Sequence, residues 1–419
     1  LPVKKSEILK NLLLLILTLT ISLVIIELLL SFFIWRNDLL PSPDTAKAAY
    51  YGWTPVADAK MKMRDPDGSD FFYYRINSQG WKDVEHSRNK KSGVYRILII
   101  GDSNTYGYVP LEAVYHRRLQ RILDEKSGRE VEVIGVGVCG WGTDQELEFL
   151  RREGFDYQPD LVIYQFSLND LQDIINPTDS ILRSSVYWYK KFKYTLENGE
   201  LKRIDLANRQ DRDKNILKSK LKKSNIVYLL ELAKSSLHDM KSQRIQKREE
   251  ALDPITFNYF RLTDPLYEKI LTDSPDTIEL KPIWDLWERI VLEMKGSCEE
   301  HRCDFVVFSE FADSSLRNWF MDKGILITLE NHDYFINGKD TIGINFDSPK
   351  IIFSNICLRN NIKIIPAVRD YDRFVRDRHH TGLGNQRMAE DIADYLLEQD
   401  YFKAPSPTIQ SKKDSSLAF

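Results

Sequence analysis

Residues 95–107 read YRILIIGDSNTYG, an apolar run that stops at Gly101-Asp102-Ser103. Branched and aromatic side chains predict a strand over Tyr95 to Ile100. Gly101 permits a sharp turn behind it, and Ser103 then stands where a helix can open with its amides pointing toward the hydroxyl. Two readings fit the tripeptide: Ser103 as a nucleophile, or as an ordinary helix cap. The rest of the chain has to decide between them.

Four more apolar runs come later: VEVIGV (131–136), LVIYQF (161–166), FVVFS (305–309) and IKIIP (362–366). Between them lie amphipathic stretches. Leu111–Leu123 carries Val114, Tyr115, Leu119 and Ile122 at helical spacing, Thr143–Arg152 is a second, and Trp284–Cys298 puts Trp287, Ile290, Val291 and Met294 on one face. The alternation predicts βαβ units, hence an α/β fold: a flavodoxin-like three-layer α/β/α sandwich around a five-stranded parallel sheet.

Ligands of an open parallel sheet bind beyond the carboxyl ends of its strands, so the residues just past each run are informative. The second run leads into GVCGWGTDQ (137–145), where Gly140 either presents its N–H to an oxyanion or makes a plain tight turn. The third ends in SLND (167–170), where Asn169 is an amide donor to the same oxyanion or a turn former. After the fifth comes DRHHTGLGN (377–385), with Asp377, His379 and His380 ahead of a helix from about Asn385. An imidazole held by a carboxylate is what a serine needs as its general base. As metal ligands these three residues have no further cluster to join, and neither metal nor cofactor is expected.

In that order, across most of residues 94–400, the four blocks resemble those of the SGNH (GDSL-like) hydrolase family. The resemblance implies Ser103 as nucleophile, an oxyanion hole from the Ser103 N–H, the Gly140 N–H and the Asn169 side chain, and Asp377 as the orienting acid. Asp377 to His380 satisfies the family's D-x-x-H, whereas Gly384-Asn385 stands at the family's distance from His379. His379 is therefore the expected base, with His380 as the alternative. Ser167 occupies a position where the family carries Gly, a change expected to affect only the turn. The implied chemistry is ester hydrolysis through a Ser-His-Asp acyl-enzyme, with O-acyl groups, acetyl foremost, on an extracytoplasmic glycan as the expected substrate. Transfer of an acyl group to an envelope polysaccharide, lipase or lysophospholipase action, and a silent glycan-binding role are the competing readings.

The flanks supply the setting. Leu12 to Trp35 is apolar apart from Thr18, Thr20, Ser22, Glu27 and Ser31, long enough to span a bilayer as a helix. Lys4, Lys5 and Lys10 precede it, so the positive-inside bias predicts a cytoplasmic N-terminus and a catalytic region across the membrane. No A-x-A site comes after it, which favours a retained anchor over a cleaved signal. Glu27 is expected near the outer headgroups, where a carboxylate is tolerated.

The expected division is residues 1–36 as N-terminus and anchor, 37–92 as an approach segment with a strand at FFYYRIN, 93–403 as the catalytic domain with an insertion at 176–282, and 404–419 as a disordered tail. Within the insertion, KFKYTLENGELKRI predicts a hairpin turning at Asn198-Gly199, and an amphipathic helix is expected around Asn225 to Met240. A net charge of -3 over 419 residues argues against nucleic acid as a partner. Cys139, Cys298, Cys303 and Cys357 have no metal-type spacing, and only Cys298 and Cys303 are candidates to pair. The sequence leaves the oligomeric state open.

Overall fold

The computed structural model describes residues 5–34, 47, 50–67, 71–175, 192–205, 224–230, 233, 280–310, 321, 326–329, 332–337, 340–344, 347–369, 371–374 and 379–402. Asp377, most of the 176–282 insertion and the 404–419 tail lie outside them.

Five parallel strands form the central sheet: β3 (Tyr95–Gly101), β4 (Val131–Gly137), β5 (Leu161–Phe166), β8 (Asp304–Ser309) and β12 (Lys363–Ile365). Their spatial order is β12-β8-β5-β3-β4, which is the order of a flavodoxin-like sheet. Each strand begins within a residue or so of its apolar run, because runs buried on both faces leave little freedom of register.

Side-chain alternation splits the sheet between two cores. On one face Leu98, Ile100, Ile134, Val136, Val162, Tyr164 and Val307 meet the helices α4 (Thr143–Arg152), α6 (Lys281–Glu300) and α7 (Asp347–Arg359). On the other, Ile97, Ile99, Val133, Ile163, Val306 and Phe308 meet α3 (Tyr115–Lys126) and α8 (Gly382–Glu398). That is the three-layer sandwich. The helix expected from Leu111 starts instead at Tyr115, after a 3-10 turn at Leu111–Ala113. The last helix opens earlier than expected, at Gly382, where the Thr381 hydroxyl accepts from the Gly384 N–H.

β4 is an edge strand, and side chains cover it. The Gly135 N–H donates to Asp83 and the Val133 N–H to Gln120, both at 2.7 Å, which blunts the edge against pairing with another chain.

Residues 50–92 contribute more than an approach. Tyr51, Trp53 and Trp81 are among the largest fully buried side chains and pack with Trp141 and Phe149. The FFYYRIN strand is β2 (Phe71–Arg75), and its antiparallel partner is β1 (Lys60–Arg64), whose sequence KMKMR lacks the branched residues that mark a strand. The hairpin of β6 (Lys193–Glu197) and β7 (Glu200–Ile204) turns at Asn198-Gly199 with φ of 53° and 81°, the paired positive values of a type I′ turn.

A second departure is the antiparallel sheet β9 (Leu326–Leu329), β10 (His332–Asn337) and β11 (Asp340–Ile344) between β8 and α7. Of the helix expected over Asn225 to Met240, the described part is 225–230 and 233. The long N-terminal helix α1 (Lys5–Phe33) is solvent-exposed, and its stretch Glu7–Phe33 is apolar and long enough to cross a membrane. All four cysteines are free thiols.

Candidate active site

β3 ends at Gly101, and the Asp102 carboxylate then accepts the Asn104 N–H at 2.8 Å, capping the one-turn helix α2 (Ser103–Tyr106). Ser103 is the first residue of that turn, and its Oγ lies 2.8 Å from His379 Nε2. The imidazole comes from the loop between β12 and α8 and stacks on the Tyr108 ring, with centroids 3.9 Å apart and planes 30° apart. Its neighbour His380 points elsewhere, Nε2 meeting the Glu310 carboxylate. Of the two candidate bases, the structure therefore brings His379 to Ser103 and sends His380 away. The third expected member, Asp377, lies outside the described residues.

Gly140 lies just past β4 with φ of 72°, a conformation that side chains rarely adopt. Two tryptophans fix the loop around it: the Trp53 indole N–H donates to the Cys139 carbonyl at 3.0 Å, and the Trp141 indole N–H to the Trp53 carbonyl at 2.9 Å. Among the described residues the backbone N–H groups of Ser103 and Gly140 make no hydrogen bond, so both remain available to an incoming acceptor. Asn169 differs. It stands just ahead of the one-turn helix α5 (Asp170–Asp173). Its Nδ2 is 3.2 Å from Asp102 Oδ2 and 3.0 Å from Asp173 Oδ2, so its amide has to leave one carboxylate to meet an oxyanion.

Behind Ser103 lies a buried polar network centred on Ser167. Its hydroxyl receives the side-chain amides of Asn104 at 2.9 Å and Gln165 at 2.7 Å, and faces Asp102 at 3.3 Å and Glu310 at 3.2 Å. A hydroxyl accepts twice and donates once, and this one uses its full capacity. The Gly-to-Ser departure in the third block thus changes a network, and the expectation that it touches only the turn is corrected.

Burial raises the Asp102 carboxyl above its ordinary range, with the Glu310 charge adding to it. Burial likewise pushes Asp170 well up, beside Asp102; its Oδ2 accepts the Tyr164 hydroxyl at 2.9 Å and the Ser167 N–H at 3.1 Å. Glu310 goes the other way: burial opposes its charge, but Arg373 and His380 outweigh that and hold it well below the carboxylate range. His380, desolvated and next to Arg373, is lowered to about 4, so it stays neutral at physiological pH.

Several of these residues carried little signal in the sequence. Glu310 comes directly after FVVFS, and the same strand-end rule that singled out Asn169 applies to it. Tyr108 and Asp173 carried no such signal. Nor did Lys82, whose buried Nζ donates to the carbonyls of Gly107 at 2.6 Å and Val109 at 2.7 Å and so pins the loop that carries Tyr108.

Comparison with known proteins adds a family. The GDSL-like Lipase/Acylhydrolase family matches residues 99–234, a stretch that includes Ser103, Gly140 and Asn169. No curated protein matches the chain. Among solved structures the chain is similar to a lipase/acylhydrolase from Enterococcus faecalis, at 12% identity and TM-score 0.34, covering 73% of this chain and 96% of that one. A catalytic mutant of Axe2, an acetylxylan esterase from Geobacillus stearothermophilus, aligns at 10% identity and TM-score 0.34 over 74% and 96%. A putative lipolytic protein of the G-D-S-L family from Desulfitobacterium hafniense aligns at 10% and 0.32 over 72% and 99%. Likeness at these levels says nothing of substrate. By the family match over residues 99–234 and the order of its blocks, this part of the chain is similar to the GDSL-like lipase/acylhydrolase family, hydrolases that act on ester bonds.

Proposed function

We propose that the protein is a membrane-anchored serine esterase that removes O-acyl groups, acetyl foremost, from a glycan on the far side of the membrane. Ser103 is the nucleophile, His379 the general base and Asp377 the acid that orients it. The observation that carries this reading is the 2.8 Å separation of Ser103 Oγ and His379 Nε2 at the end of β3.

The chemistry runs in two balanced steps. His379 Nε2 takes the Ser103 hydroxyl proton as Oγ bonds to the ester carbonyl carbon, and the charge that develops on the carbonyl oxygen meets the N–H groups of Ser103 and Gly140 and the Asn169 amide. The C–O bond to the alcohol breaks as His379 returns the proton to the leaving oxygen. Water, deprotonated by His379, then attacks the acyl carbon, and the released proton restores Ser103.

The glycan and the anchored topology rest on the apolar helix Glu7–Phe33, which tethers the domain and gives it envelope carbohydrate within reach. The test is acetate release from a chromogenic acetyl ester by the full chain in detergent. Ser103→Ala and His379→Ala should each lower turnover by about 1,000-fold or more, while His380→Ala should retain measurable turnover. A His380→Ala variant as dead as His379→Ala would remove the assignment of the base. Unchanged turnover in Ser103→Ala would remove the acyl-enzyme.

A further inference from the structure

The β1–β2 hairpin has two unlike faces. Its inner side chains, Met61, Met63, Phe72 and Tyr74, pack with Ile76 and Tyr106, so the hairpin rests on the one-turn helix that Ser103 opens. Its register pairs Lys60 with Arg75, Lys62 with Tyr73 and Arg64 with Phe71. Alternation sends these six to the outer face. Phe71 is 45% and Tyr73 53% exposed. The Lys62 ammonium sits 4.2 Å from the Phe71 ring centre, and the Arg64 guanidinium 5.1 Å from it. The outer face is therefore two exposed rings among Lys60, Lys62, Arg64 and Arg75; three acids, Asp65, Asp67 and Asp70, lie in the sequence that connects Arg64 to Phe71 and not at the paired positions of the face. Aromatic rings with lysine and arginine are the composition that settles at a lipid–water boundary, rings among the headgroups and cations on the phosphates.

The hairpin's position gives that composition a partner. Lys60 Nζ donates to the Ser31 carbonyl at 2.9 Å, in the last turn of α1. A second segment, distant in sequence, meets the same end of α1. The Glu27 carboxylate accepts the Ser224 hydroxyl at 2.7 Å and the Ile226 N–H at 3.1 Å, capping the helical stretch 225–230, on which Leu230 is 66% exposed.

We propose that the outer face of the β1–β2 hairpin, with the 225–230 stretch beside it, seats the catalytic domain on the anionic lipid headgroups of the membrane that α1 crosses. The inference rests on the reading of α1 as an anchor. It makes α1 part of a platform rather than a loose tether, with the hairpin as a single layer between the lipid and the helix of Ser103.

The experiment uses the full chain in nanodiscs of phosphatidylcholine, with and without phosphatidylglycerol. A fluorophore is attached at position 73 through Tyr73→Cys or, as a control on the far end of α3, at position 125 through Glu125→Cys. Quenching by a headgroup-borne spin label should be at least about twofold stronger at position 73, and stronger with phosphatidylglycerol present. Adding Lys62→Glu with Arg64→Glu to the position-73 chain should remove the dependence on phosphatidylglycerol while the chain stays in the disc. Equal quenching at both positions in a retained chain overturns the seating and leaves the anchor standing. A chain that does not remain with the disc overturns the anchor and the seating together.

Discussion

Tyr108 and His379 show how a loop side chain without a motif can matter as much as one inside it. In the proposed mechanism the His379 imidazole accepts a proton from Ser103 and so has to be held in plane, for which the Tyr108 ring 3.9 Å away supplies a flat wall. Tyr108→Ala should lower kcat about 10- to 100-fold by letting the base drift. Tyr108→Phe, which keeps the ring, should stay near wild type, and steady-state kinetics on one ester separates the two. Equal losses in both variants would assign the effect to the hydroxyl instead. Asn169 is tested in the same assay: as an oxyanion donor its loss in Asn169→Ala should reduce kcat about 100- to 1,000-fold with KM little changed. Unaltered turnover would take Asn169 out of the reaction.

Strand ends do the positioning at the scale of elements. β4 finishes at Gly137, where a Cβ would come within 2.1 Å of the Tyr106 backbone nitrogen. The one-turn helix that Ser103 opens can therefore pack onto β4 only over a residue without a side chain. Gly137→Ala has to push these elements apart, at about 1–3 kcal/mol in stability. It should also lower turnover, because α2 carries Ser103. Urea unfolding and the ester assay report the two effects, and a variant unchanged in both would mean the packing is slacker than the contact implies. This glycine stands in the block GVCGWGTDQ, so its presence was legible, but the backbone it faces was not: Tyr106 belongs to the first block, thirty-one positions earlier in sequence.

For the whole molecule, the buried polar groups make stability depend on pH. Lys82 is fully enclosed among Tyr74, Tyr106 and two carbonyls, and burial lowers its ammonium from an ordinary 10.5 to about 7. Between those values the unfolded chain holds a proton that the folded chain has released, so the Lys82 contribution to stability rises with pH across that window. Wild-type melting temperature minus that of Lys82→Met should therefore climb from pH 7 toward 10; a flat difference would mean Lys82 keeps its proton in the fold. The carboxylate Asp83 has the same sense in an acidic window, where its charged form stabilises the fold. Burial opposes its charge, but His116, Arg117 and His86 hold it down from 3.8 to about 2, so its contribution is present at neutral pH and lost as pH falls through that range.

The sequence by itself determined the five parallel strands of the central sheet and the loops that bear Ser103, Gly140, Asn169 and His379. Apolar runs buried on both faces and the residues just past their ends are local signals, readable one strand at a time. It also carried the apolar helix and the Asn198-Gly199 turn, for the same reason. What it left open was decided by contacts between segments far apart in the chain. The spacing of Gly384-Asn385 favours His379 in sequence but leaves His380 as an alternative, and only the fold turns one toward Ser103 and the other toward Glu310. The burial of Lys82 beneath the loop of Tyr108, the hydroxyl of Ser167 at the centre of a network, and the packing of Trp53 and Trp81 into the core are likewise tertiary. Burial, desolvation and ring stacking exist only once distant elements are packed, so no local pattern announces them.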